Sequence, residues 1–123
     1  METFLRTVLV IDDDPQARLL LPKLLGGGYR VLTVGTGEEG LRLLDQELVD
    51  LVIVDILMPE MDGLELIRVL RRTQPAMKII AMTGGIKEWS YLEVAKHLGA
   101  HATLQKPFSQ ETLLAAVRAQ LAT

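Results

Sequence analysis

The chain has no cysteine among its 123 residues, which excludes disulfides and thiolate-held metals. No apolar stretch approaches the roughly 20 residues that a bilayer-spanning helix needs. The N-terminus lacks the basic stretch and long apolar core of a signal peptide. There is no long basic run and the net charge is −3, so direct nucleic-acid binding, which needs a positive surface, is not expected. No repeat, low-complexity tract or linker interrupts the chain. Aromatic residues are scarce, and Trp89 is the only tryptophan. These absences leave the expectation of a cytoplasmic protein without membrane contacts. The length suits one domain with one core. With 49% hydrophobic and 24% charged residues, the chain is too apolar for disorder.

What is present is an alternation of two patterns. Thr7-Val8-Leu9-Val10-Ile11 is a short β-branched apolar run, read as a buried strand. Asp14 suits an N-cap and Pro15 a first helical position, opening a helix to about Leu25. Leu19, Leu20, Leu24 and Leu25 are expected on its core face. Pro22 falls inside it and should cost about 3 kcal/mol or kink it. Gly26-Gly27-Gly28 stops it. Tyr29 to Val34 reads as a second, more polar strand nearer an edge. Thr36 to Glu39 has capping-box spacing, and the helix after it places Leu41, Leu44 and Leu48 on one face.

Leu51 to Val54 is an apolar run suited to a strand buried on both faces. It delivers Asp55 and is over by Pro59, which cannot donate to a sheet. Asp62-Gly63-Leu64-Glu65 opens a third helix, which ends in Arg71-Arg72. Lys78 to Met82 is a fourth strand, followed by Thr83-Gly84-Gly85. Ser90 to Glu93 reads as another capping box, leading a helix closed by Gly99. Ala102 to Gln105 is a weaker strand ending at Lys106-Pro107. Ser109 caps a last helix with Leu113, Val117 and Leu121 at four-residue spacing. Five strand–helix units imply an α/β fold with a parallel sheet, right-handed crossovers and helices on both faces.

All strand ends of a parallel sheet lie on one edge, where open α/β sheets place their chemistry. There the sequence puts Asp12, Asp13, Asp55, Thr83 and Lys106. Each alone has an ordinary reading as a cap, a turn residue or a surface charge. Together they do not. Carboxylates about 4 Å apart, at an effective dielectric near 20, repel by roughly 4 kcal/mol per pair. A hard divalent cation on oxygen ligands relieves this, and Mg²⁺ commonly uses one or two carboxylates with waters and phosphate oxygens. Lys106 adds a fixed positive charge. The Thr83 hydroxyl and backbone N–H groups near Gly84 can donate to an oxyanion. These parts suit a phosphoryl group arriving on a carboxylate.

The set Asp12-Asp13, Asp55 with Met58-Pro59 and Asp62-Gly63, Thr83, and Lys106-Pro107-Phe108 resembles the receiver domain of bacterial two-component response regulators. The resemblance covers essentially the whole chain, residues 1–123, and no output domain is expected in it. It implies a flavodoxin-like fold with five parallel strands in the order 2-1-3-4-5. It implies that Asp55 takes a phosphoryl group from a phosphohistidine of a sensor histidine kinase or a histidine phosphotransfer protein. Asp13, Asp55 and the backbone carbonyl of Leu57 would bind Mg²⁺ directly, and Asp12 mostly through water. Thr83 and Lys106 would hold the phosphoryl oxygens, and the Lys106–Pro107 bond would be cis. A downstream effector or output domain would read the state, with a homodimer through the fourth and fifth helices as one route.

One position departs from that pattern. Thr103 stands three residues before the lysine, where receivers commonly carry an aromatic that swings inward on phosphorylation. Trp89 and Tyr91 could make partner contacts or pack partly into the core. Two rival readings follow. In the first, the chain is a phosphorylation-independent pseudo-receiver. In the second, Asp12-Asp13-Asp14 resembles the Asp-x-Asp of haloacid-dehalogenase-like phosphatases, with a later Thr and Lys, and phosphate would be trapped on Asp14 rather than Asp55; that leaves Asp55 and Met58-Pro59 unexplained.

Overall fold

The computed structural model describes residues 4–58, 62–84 and 89–122. In chain order the elements are β1 (Arg6–Ile11), α1 (Pro15–Leu25), β2 (Tyr29–Val34), α2 (Gly37–Gln46), β3 (Leu51–Asp55), α3 (Gly63–Thr73), β4 (Lys78–Thr83), α4 (Trp89–Leu98), β5 (Ala102–Gln105) and α5 (Gln110–Leu121). A short 3₁₀ turn, Gly26–Gly28, links α1 to β2. The strands form one parallel sheet in the order β2-β1-β3-β4-β5. This is the flavodoxin-like arrangement, with the polar strands β2 and β5 at the edges and the most apolar strand at the centre. No helix of the described residues is long and apolar enough to cross a membrane.

Alternation along the strands builds two cores from one sheet. Leu9, Ile11, Val52, Val54, Ile79 and Ala81 point to one face, where they meet Leu44 of α2, Leu66, Ile67 and Leu70 of α3, and Ala95 of α4. Val8, Val10, Leu51, Ile53, Ile80 and Met82 point to the other, against Leu21 and Leu25 of α1 and Leu113 and Val117 of α5. Every residue of β3 is buried, as its unbroken apolar run requires. Each such side chain stabilises the fold by about 1.5–3 kcal/mol relative to exposure.

The helix starts follow their caps. Asp14 accepts from the Gln16 N–H, Thr36 from Glu39, Asp62 from Glu65 and Ser109 from Thr112. The fourth start differs from expectation: α4 begins at Trp89, so Ser90 lies inside the helix and is not its N-cap. Two core faces also differ. Leu19 and Leu20 are 68% and 53% exposed. The inward stripe of α1 is Ala17, Leu21, Leu24 and Leu25, a helical spacing that a leucine-rich segment satisfies in more than one register. Leu48 is exposed because α2 ends at Gln46. Helix α1 runs through Pro22 to Leu25. Pro59 and Gly85 lie outside the described residues.

Candidate functional site

The carboxyl ends of β1, β3, β4 and β5 bring the expected residues to one place. The Asp12 N–H still pairs with the Val34 carbonyl at 3.1 Å, so Asp12 leaves β1 in strand geometry. Asp55 is the last residue of β3, and the next N–H, from Ile56, reaches the Met82 carbonyl at 3.0 Å. Thr83 ends β4, and its carbonyl accepts from the Lys106 N–H at 2.7 Å. The peptide bond from Lys106 to Pro107 is cis. Asp12, Asp55 and Thr83 are all buried, which is unusual for groups of this polarity unless they are partnered.

The partners are specific. The Lys106 Nζ donates to Asp12 Oδ2 at 2.7 Å and to Asp55 Oδ2 at 3.3 Å. The other Asp55 oxygen, Oδ1, accepts from the Leu57 N–H at 3.0 Å, and Asp12 Oδ1 accepts from the Asp14 N–H at 2.9 Å. Asp13 projects into solvent beside them. Oxygens of Asp12, Asp13 and Asp55 lie within 4.8 Å of one another, a spacing and donor set that fit a hard divalent cation. Thr83 contributes the remaining feature: its Oγ1 is fully buried and has no hydrogen-bond partner among the described residues. A buried hydroxyl of this kind carries a penalty of about 1–3 kcal/mol, which an incoming oxyanion would remove.

Electrostatics follow from this packing. Burial pushes the Asp55 carboxyl above its ordinary value; the Leu57 N–H and the Lys106 charge oppose the rise, and the Asp12 charge adds to it. Burial pulls the Lys106 ammonium down. The hydrogen bond to Asp12 and the charges of Asp55 and Asp12 outweigh that and hold it above the ordinary lysine value. Lys106 therefore stays charged and serves as the resident counter-ion of two carboxylates.

A family profile described as the response regulator receiver domain matches residues 8–118. The chain belongs to that family. Among curated relatives, this receiver is 40% identical over 113 residues to the transcriptional regulatory protein GlrR of Escherichia coli K12, covering 89% of this chain and 25% of GlrR. It is 33% identical to the alkaline phosphatase synthesis transcriptional regulatory protein PhoP of Bacillus subtilis, covering 94% of this chain and 48% of PhoP. The receiver thus spans between a quarter and about half the length of these relatives. A receiver domain protein from Clostridium thermocellum superposes with a TM-score of 0.89 at 30% identity, over 96% of this chain and 95% of that one. A CheY-like receiver from Methanospirillum hungatei JF-1 gives 0.89 at 30% identity, over 97% and 95% of the two chains. Receivers of this family are the signalling domains of two-component response regulators, and their general function is phosphorylation on an aspartate.

The receiver fold assigns further residues to the site. A Cβ on Gly63 would lie 2.4 Å from both the Asp55 carbonyl oxygen and the Ile56 Cα. Only glycine lets the start of α3 press onto the end of β3, where the Gly63 N–H bonds the Ile56 carbonyl at 3.1 Å. The sequence shows Asp62-Gly63 as a helix start but not this collision, because the opposing atoms belong to the preceding strand. Asp14, where the phosphatase reading would place the phosphate, is occupied as the α1 N-cap, its Oδ1 accepting from the Gln16 N–H at 2.9 Å. Thr103 is half-buried on β5 opposite Ala81, so the position of the usual aromatic is filled by a small polar side chain.

Proposed function

We propose that Asp55 is the phosphoacceptor of this receiver. A carboxylate oxygen of Asp55 forms a bond to phosphorus as the bond from phosphorus to a histidine nitrogen breaks. The imidazole departs with that electron pair and takes up a proton. The donor is a sensor histidine kinase or a histidine phosphotransfer protein. The observation that carries this reading is the convergence at one sheet edge of three carboxylates, a lysine bonded to two of them and a buried threonine hydroxyl without a partner among the described residues.

Asp12, Asp13, Asp55 and the Leu57 carbonyl would hold Mg²⁺, which supplies charge neutralisation for an anionic nucleophile meeting an anionic phosphoryl group. Lys106 stabilises the same charge from the other side, and the Thr83 hydroxyl donates to a phosphoryl oxygen. Residues 1–123 act as one receiver unit in the cytoplasm. Phosphorylation changes contacts with an effector or output domain, or with a second receiver through α4 and α5. DNA and membranes are not direct ligands.

The test is reaction with a small phosphodonor and Mg²⁺, read by intact mass. Wild type gains one acid-stable, base-labile phosphoryl group, and Asp55→Asn gains none. A wild-type chain that remains unmodified, and whose Trp89 fluorescence ignores beryllofluoride, would instead be a pseudo-receiver.

A further inference from the structure

Arg18 borders the site and has no task in the phosphotransfer just described. It lies in α1 and reaches back to the end of β1, where its Nη1 donates to the backbone oxygen of Asp12 at 2.8 Å. That oxygen belongs to the peptide group joining Asp12 to Asp13. The group is planar, so a bond to its oxygen fixes the plane from which the Asp13 Cα departs. The rest of Asp12 is anchored independently: its N–H on Val34, its Oδ1 by Asp14 and its Oδ2 by Lys106. Asp13 has no such anchors. It is exposed, and its side chain has no partner among the described residues. Its aim depends on the backbone on either side.

Gly35 completes the arrangement from the loop after β2. A Cβ there would stand 3.0 Å from Arg18 Nη1 and 3.5 Å from the guanidinium carbon. A larger residue would press directly on the group that holds the Asp12 carbonyl. Arg18, Gly35 and Asp12 therefore form one interlocked contact across the β1–α1 and β2–α2 loops.

We infer that Arg18 is a positioning residue for the divalent cation. By holding the Asp12–Asp13 peptide it aims the Asp13 carboxylate toward the carboxylates of Asp12 and Asp55, and Gly35 leaves it the room. This rests on the reading that the acidic cluster takes Mg²⁺. A purely electrostatic role makes the opposite prediction, because a positive charge beside three carboxylates repels a cation and its removal would tighten binding.

The experiment is calorimetric titration with MgCl₂ in the absence of any phosphodonor, using wild type, Arg18→Met, Arg18→Lys and Gly35→Ala. Thermal melting in chelator reports the metal-free fold of each. Arg18→Met keeps the aliphatic stem and removes the donors. It should weaken Mg²⁺ by about tenfold, the lower end of what outer-shell partners of metal ligands contribute. Arg18→Lys keeps the charge, loses the planar fork and should also bind more weakly than wild type. Gly35→Ala leaves every donor in place and should weaken binding by less than Arg18→Met. It also keeps the test alive should Arg18→Met fail to fold. Variants that melt like wild type and bind Mg²⁺ as tightly, or more tightly, overturn the assignment and leave the Mg²⁺ reading intact. A wild-type chain that takes up no Mg²⁺ overturns both.

Discussion

The two halves of the site are built on different terms. On the β1–β3 side, both oxygens of Asp12 and both of Asp55 are engaged, by two backbone N–H groups and a shared lysine. On the β4–β5 side, the buried Thr83 hydroxyl has no partner among the described residues. In the β1–β3 half, Asp12 and Asp55 are held before any ligand arrives. The other half holds a donor that is unmet among the described residues and that a ligand can satisfy. A fixed half lowers the reorganisation needed to bind a cation and transfer charge. An unsatisfied half stores a small, releasable penalty, which is what a two-state element needs if phosphorylation is to bias it.

The comparison can be broken most severely at Gly63. Gly63→Ala drives a Cβ into the Asp55–Ile56 backbone, so relief requires moving α3 or the end of β3. Chemical denaturation should show a loss of about 3 kcal/mol, the upper range for overpacking, together with slower phosphorylation of Asp55. Lys106→Met comes next. It leaves two buried carboxylates without their counter-ion. Removing one partner of a buried pair costs about 3–5 kcal/mol. The lysine is about a quarter exposed, so the expected loss near neutral pH is nearer about 2 kcal/mol, shrinking in acid as the Asp55 carboxyl, which burial holds above its ordinary value, takes up a proton.

Asp55→Asn sharpens the picture of the fixed half. The Asp55 carboxyl titrates above its ordinary value of 3.8 in the folded chain. Its protonated form is therefore favoured by folding. Its contribution to stability is greatest below the unfolded value and is lost as pH rises through the folded value. In chelator, the stability of Asp55→Asn relative to wild type should increase as pH climbs above 3.8 and then level off. Urea midpoints across that range measure it, and a difference that stays flat with pH would contradict the burial argument.

The smallest effect belongs to Thr83→Ala. Removing an unsatisfied buried hydroxyl should leave stability unchanged or raise it by about 1 kcal/mol. The same change should shorten the response to phosphorylation, read as a diminished Trp89 fluorescence change with beryllofluoride. A loss of stability equal to that of Lys106→Met would mean the two halves are built alike.

Much of this was legible in the chain. The strands were, because runs such as Leu51 to Val54 are apolar on both faces and no amphipathic helix reads that way. The caps at Asp14, Thr36, Asp62 and Ser109 were, because capping is local in sequence. The placement of Asp12, Asp13, Asp55, Thr83 and Lys106 at one edge was, because a parallel sheet gathers its strand ends there. What failed was the face of α1, where adjacent leucines fit several registers, the place of Leu48 on α2, which ends at Gln46, and the start of α4, which precedes Ser90.

The sequence by itself determined the order of elements, the parallel sheet and the identity of the acidic, hydroxyl and lysine residues at its edge, because those follow from periodicity and local hydrogen bonding. Only the tertiary structure decided that Lys106 bridges Asp12 and Asp55, that Thr83 has no partner among the described residues, that Gly63 must be bare and that Arg18 reaches the Asp12 carbonyl. Each of those depends on ångström-scale distances between segments far apart in the chain, and packing sets such distances while no local pattern encodes them.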